Sequence, residues 1–97
     1  MADKDDILID EIEAAFRSAY RRFRRADPIE QDKMFKDLQK AATEWVQAQK
    51  KLVEDDELAT QAMIDQMRKI KDEIDDAANT QELVIALGRL VAFLAAM

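Results

Sequence analysis

LVIALGRLVAFLAAM, residues 83–97, is the most apolar run in the chain, and its reading decides the fold. As a helix it spans roughly 22 Å, short of the ~30 Å hydrocarbon core of a bilayer, and Arg89 interrupts it. The run is therefore read as a helix of a water-exposed domain. Turned at 100° per residue, Leu83, Leu87, Leu90, Leu94 and Met97 fall on one face. Val84, Val91 and Ala95 extend one flank, Ala86 and Phe93 the other. The far side carries Ile85, Gly88, Ala92 and Ala96, with Arg89 as its single charge. A helix that is apolar all round is normally covered all round. Gly88, Ala92 and Ala96, four apart, form a ridge of small residues against which a second helix can come close. The expected interface is Ile85, Gly88, Arg89, Ala92, Phe93 and Ala96, covered by a second copy of the chain or by another protein.

Upstream, Asn79-Thr80-Gln81-Glu82 reads as a capping box, so the last helix is placed at about 80–96. Before it, Ala59, Met63, Met67, Ile70, Ile74 and Ala77 make a thin seam on a helix of about 56–77. The cluster Glu54-Asp55-Asp56-Glu57 suits a helix start better than a helix end, which puts a break near Asp55. One continuous helix over 28–77 is the competing reading.

Asp27-Pro28 is the clearest boundary. Asp caps a helix N-terminus, and Pro is favoured at the first helical position. The second helix is placed at about 28–53, with Phe35, Leu38, Ala42, Trp45 and Leu52 as its stripe. Met34, Ala41, Val46 and Val53 lie beside that stripe, and Gln49 falls within it. The first helix is placed at about 5–25, on a stripe of Ile9, Ile12, Phe16, Ala19 and Phe23 widened by Leu8, Ala15 and Tyr20.

These readings fit the composition. Ninety-seven residues suit one domain, here 1–97, and with one Gly and one Pro there are too few turn-formers for a sandwich or barrel. Hydrophobic residues at 48% and charged residues at 37% suit amphipathic helices rather than a disordered chain. The expected fold is all-α: an antiparallel four-helix bundle or a pair of helical hairpins, completed by dimerisation. MADKDDILID at the start is acidic where a signal peptide is basic, so a cytoplasmic location is expected.

FRSAYRRFRRAD, residues 16–27, places five arginines within nine positions of a chain of net charge −6. Arg17, Arg21, Arg24 and Arg25 share one side of the first helix; Arg22 lies apart. Glu13, four residues before Arg17, has the favourable orientation for an ion pair. The arginines are expected to face the protein's own carboxylates. Arg17, Tyr20, Arg21, Arg24 and Arg25 also form a candidate partner-binding group, for another protein or, as an alternative, for nucleic acid phosphates. No nucleic-acid reading module accompanies them.

The chain has no His and no Cys. That removes the usual general base, zinc and haem ligands, and thiol nucleophiles. A single glycine excludes a Gly-rich phosphate loop. No catalytic residue, metal site, cofactor or small-molecule substrate is expected. Glu54, Glu57, Glu73 and Asp76 follow an E-x-x-E…E-x-x-D spacing that resembles the all-α nucleotide pyrophosphohydrolases. The resemblance implies Mg²⁺ held between facing acidic helices. Here both halves fall on one expected helix, Glu57 and Glu73 being roughly 24 Å apart. The expected function is a non-enzymatic interaction module: a small adaptor, regulator or inhibitor working through helix surfaces as a homodimer.

Overall fold

In the computed structural model, which describes residues 3–54 and 58–97, the chain folds as four helices: α1 (Lys4–Arg25), α2 (Pro28–Glu54), α3 (Gln61–Asp76) and α4 (Thr80–Ala96). Each start has a local chemical cause. The Asp3 carboxylate accepts from the Asp6 N–H at 2.8 Å, and the Asp27 carboxylate accepts from the Glu30 N–H at 2.9 Å, with Pro28 as the first helical residue. Asn79 accepts from the Glu82 N–H at 2.9 Å. The Glu82 carboxylate reaches back to the Ala78 N–H, one residue before the cap, rather than to that of Asn79.

The third helix departs from the sequence reading. It starts at Gln61, not near residue 56, because the Thr60 hydroxyl caps it by accepting from the Met63 N–H at 3.2 Å. Residues 58–60 are not helical, so α2 and α3 are separate. Ala59 is buried, but in this connection, where its N–H donates to the Asp5 carboxylate at 2.7 Å. Asp55, Asp56 and Glu57 lie outside the described residues.

The short loops predict antiparallel neighbours. α1 packs most extensively on α3, and α2 on α4; α3 meets α4 less fully, and α1 meets α2 less still. Cross-links give the direction of the first pair. Asp5 bonds to Ala59, Glu11 to Arg68, and Arg22 to the carbonyls of Ile74, Asp75 and Ala77. Both chains ascend together, so α1 and α3 run the same way. The physical reason lies in α1's side chains. Ala15, Ser18 and Ala19 are buried, and such small residues let the α3 backbone approach closely. The buried face of α1 accordingly centres on Leu8, Ile12, Ala15 and Ala19, rotated towards α3 from the predicted Ile9–Phe23 line.

α4 lies back along α3: Arg89 reaches Glu73, and Met97 comes to the same groove as Met63. Leu83, Leu87, Leu90 and Leu94 of α4 are buried as expected, and Ala86 and Phe93 join them. On α2 the expected stripe divides. Met34, Leu38, Ala41, Ala48 and Leu52 are buried and Trp45 is half-buried, whereas Phe35, Val46 and Val53 are exposed. Among the described residues no helix is long and apolar enough to cross a membrane.

Candidate protein-interaction surface

The surface that gathers most of the predicted interface is a groove between α3 and α4, of about 450 Å³. α4 contributes Arg89, Ala92, Phe93, Ala96 and Met97; α3 contributes Met63, Gln66, Lys69, Ile70 and Glu73. The groove exists because Ala92 and Ala96 stop at Cβ where larger side chains would fill the space. Ile70 and Phe93 are buried and line its apolar part, with half-buried Met63 and Met97 beside them. Methionine is unbranched and flexible, and suits a surface that adapts to an incoming side chain. The groove also has a charged edge. Arg89 Nη1 donates to both carboxylate oxygens of Glu73 at 2.8 Å, and Lys69 stands nearby.

Four of the six expected interface residues, Arg89, Ala92, Phe93 and Ala96, thus share one groove. Phe93 does so from the core rather than as a projecting side chain. Ile85, 53% exposed, lies outside the groove in a neighbouring hollow with Glu73, Asp76, Ala77 and Glu82, and Gly88 is exposed on α4 outside both. The α3 half was missed. The sequence reading placed Met63 on the inner seam of that helix, whereas Ile64 is the buried residue of that turn and Met63 lines the groove.

Gly88 has no internal reason to be glycine, since a Cβ built there meets no atom within 4 Å. Glycine inside a helix costs about 0.5–1 kcal/mol relative to alanine. Gly88→Ala is therefore expected to stabilise the monomer by that amount, raising Tm by roughly 4–8 °C per kcal/mol in a domain this size. Thermal unfolding in dilute solution checks it.

The arginines do not meet the expected acids. Among the described residues the ion pairs within 4 Å are Arg68 with Glu11 and Asp65, Lys71 with Asp75, and Arg89 with Glu73. Arg17, Arg21, Arg24 and Arg25 are exposed and in none of them, and the predicted Glu13–Arg17 pair is not formed. An exposed pair of long side chains gains little Coulomb energy in water and loses side-chain entropy, so solvation wins. Tyr20 is 42% exposed and stacks on Phe16, ring centroids 6.2 Å apart. Arg22, set aside in the sequence reading, is the arginine with a structural task. Its guanidinium donates to the carbonyls of Ile74, Asp75 and Ala77 at the end of α3.

Asp75 stands in the same corner. Burial pushes its carboxyl up, but the Lys71 and Ser18 side chains that hydrogen-bond to it, with the charges of Lys71 and Arg21, outweigh that and hold it below its ordinary value. The bond to Asp75 in turn raises the Lys71 ammonium above its ordinary value, against some desolvation. A depressed carboxyl contributes stability that is present above its unfolded value, ~3.9, and lost as pH falls through the folded one. A raised ammonium contributes stability that is lost only as pH climbs through its own folded value. Both side chains are about a third exposed, so the pair is worth at most about 1 kcal/mol. The stability gap between the native chain and Asp75→Asn is expected to close as pH falls below the ordinary carboxylate range. Urea unfolding across pH measures that gap.

The acidic spacing gives no cage. Glu54 ends α2 whereas Glu73 and Asp76 sit on α3, so the motif does not lie on one helix; Glu57 lies outside the described residues. Glu73 is held by Arg89, and among the described residues no three potential metal ligands converge. No protein-family model, curated protein or solved structure matches the chain.

Proposed function

We propose that the protein is a non-enzymatic interaction module, a small adaptor, regulator or inhibitor that acts in the cytoplasm by presenting helix surfaces to another protein. The observation that carries this reading is the α3–α4 groove: two methionines, an isoleucine and a phenylalanine beneath two alanines, with the Arg89–Glu73 pair on its edge. A groove of about 450 Å³ accepts one or two apolar side chains of a partner helix. The charged edge would fix their orientation. Ile85, in the hollow next to the groove beside Glu73, extends the contact.

Ala92→Trp tests it, because the exposed alanine can be enlarged without disturbing the core. Pull-downs from the native source with the native chain and with Ala92→Trp should differ by the loss of one or more partners. Identical captured sets would sink the reading.

A second reading rests on one specific observation. Arg17, Arg21, Arg24 and Arg25 are exposed on α1 and, among the described residues, have no carboxylate within 4 Å. Such a group can hold phosphates of a nucleic acid. Affinity for nonspecific duplex at low salt, abolished by Arg21→Ala with Arg24→Ala, would put this reading first.

A further inference from the structure

α2 carries two seams. Met34, Leu38, Ala41, Trp45, Ala48 and Leu52 are spaced 4, 3, 4, 3, 4 and turn inward, all buried except the half-buried Trp45. One residue on, Phe35, Gln39, Ala42, Val46, Gln49 and Val53 repeat the same spacing about 100° further round the helix. All are exposed except half-buried Ala42, and Phe35, Val46 and Val53 are 55, 52 and 84% exposed. Scattered apolar residues on a surface need no explanation. Phe35, Ala42, Val46 and Val53, spaced 7, 4 and 7 in one heptad frame, do, because that spacing is what a second helix reads.

We propose that this outer seam pairs with the same seam of a second copy, the two α2 helices running in opposite directions about a two-fold axis at Glu44. The spacing itself supplies the argument. An isologous interface must be complementary to itself. Reversing the seam about residue 44 sets Phe35 against Val53 of the second copy, Ala42 against its Val46, and Gln39 against its Gln49. Large meets medium, small meets medium, and amide meets amide. Each Gln amide offers both donors and an acceptor, so the pair can satisfy itself, and a polar layer of this kind fixes register. Slipping the pair by one heptad would set a glutamine against Ala42 or Val46. Pairing in the same direction would set Ala42 against Ala42, leaving a gap, and would align the two helix dipoles unfavourably.

α2 is covered mainly by α4, and α1 covers little of it. The seam is long enough for such a pairing, since Phe35 and Val53 lie roughly 27 Å apart along α2. Along one edge Lys36 meets both Lys50 and Glu54 of the second copy, so the like and opposite charges offset each other.

This inference concerns a surface other than the α3–α4 groove and stands apart from the function proposed above. Sedimentation of the full chain across concentration is the first measurement, and a dimer is expected. Phe35→Lys with Val46→Lys should weaken it at least ~30-fold while circular dichroism stays helical, since the two-fold makes these changes break four of the seam's apolar contacts. Ile85→Lys on α4 should leave it unchanged. The chain has no cysteine, so orientation can be read directly. Phe35→Cys and Val53→Cys chains, mixed and oxidised, should cross-link to each other and hardly to themselves. A strict monomer overturns the proposal; so does a dimer that the α2 lysines leave intact and Ile85→Lys breaks. Cross-linking of Phe35→Cys chains mainly to themselves overturns the opposed orientation.

Discussion

Met34→Ala is expected to lower stability by about 2–4 kcal/mol, whereas Phe35→Ala, one residue on and the larger deletion, should cost less than ~1 kcal/mol. Met34 is 0% exposed in the core and Phe35 is 55% exposed. Removing the thioether arm loses its transfer free energy and leaves a cavity that close-packed neighbours fill only partly. Removing the exposed ring opens no cavity. A domain of this size has about 5–15 kcal/mol in all, so the Met34 variant would lose a large share of it. Urea unfolding should be run dilute enough to keep the chain monomeric, because a dimer through the outer seam would add concentration-dependent stability to the native chain that Phe35→Ala lacks. Equal losses for the two variants would mean that the inward face of α2 is centred elsewhere.

That contrast also shows where the sequence is informative. Apolar spacing located four helices, and Asp27-Pro28 and Asn79 marked two of their starts, because caps and periodicity are local properties. On α2, however, Phe35, Leu38, Ala42, Trp45 and Leu52 read as one broad stripe. Its two edges are both apolar, and hydrophobicity alone does not say which edge a neighbouring helix will cover. Ala48, small and unremarkable in sequence, is buried, while Val53 is 84% exposed. Tertiary contact decided, through the choice of α4 as the main neighbour of α2.

The start of α3 escaped for a different reason. An acidic run at 54–57 is a favourable helix start on electrostatic grounds, but a Thr60 side-chain cap directly satisfies a backbone N–H. The bond from the Ala59 N–H to Asp5 then holds the preceding residue out of the helix. Asp5 is more than fifty residues away in sequence, so nothing near Thr60 announces it. The candidate groove was half legible on the same principle. Its α4 wall follows from small residues at a fixed spacing. Its α3 wall depends on which of the neighbours Met63 and Ile64 turns inward.

Arg22→Ala is expected to cost about 2–3 kcal/mol and to lower Tm by roughly 10–20 °C, far more than Arg21→Ala or Arg24→Ala, each within about 0.5 kcal/mol. The five arginines look alike in sequence. Of the five, Arg22 is the one whose guanidinium donates to α3, to the Ile74, Asp75 and Ala77 carbonyls at 3.3, 2.9 and 2.7 Å. The last carbonyls of a helix lack partners within the helix and carry the negative end of its dipole. A cation there satisfies both needs and ties the end of α1 to the end of α3. Alanine would leave part-buried carbonyls without a donor, and that desolvation outweighs the loss of the contacts alone. Arg22→Lys should recover less than half of the difference, because one ammonium cannot match a planar fork set against three acceptors. Hydrogen exchange adds a spatial readout: in Arg22→Ala, protection should fall first over residues 72–76 of α3. An Arg22→Ala variant as stable as Arg24→Ala, with α3 still protected, would mean that the parallel packing of α1 on α3 rests on apolar contact alone.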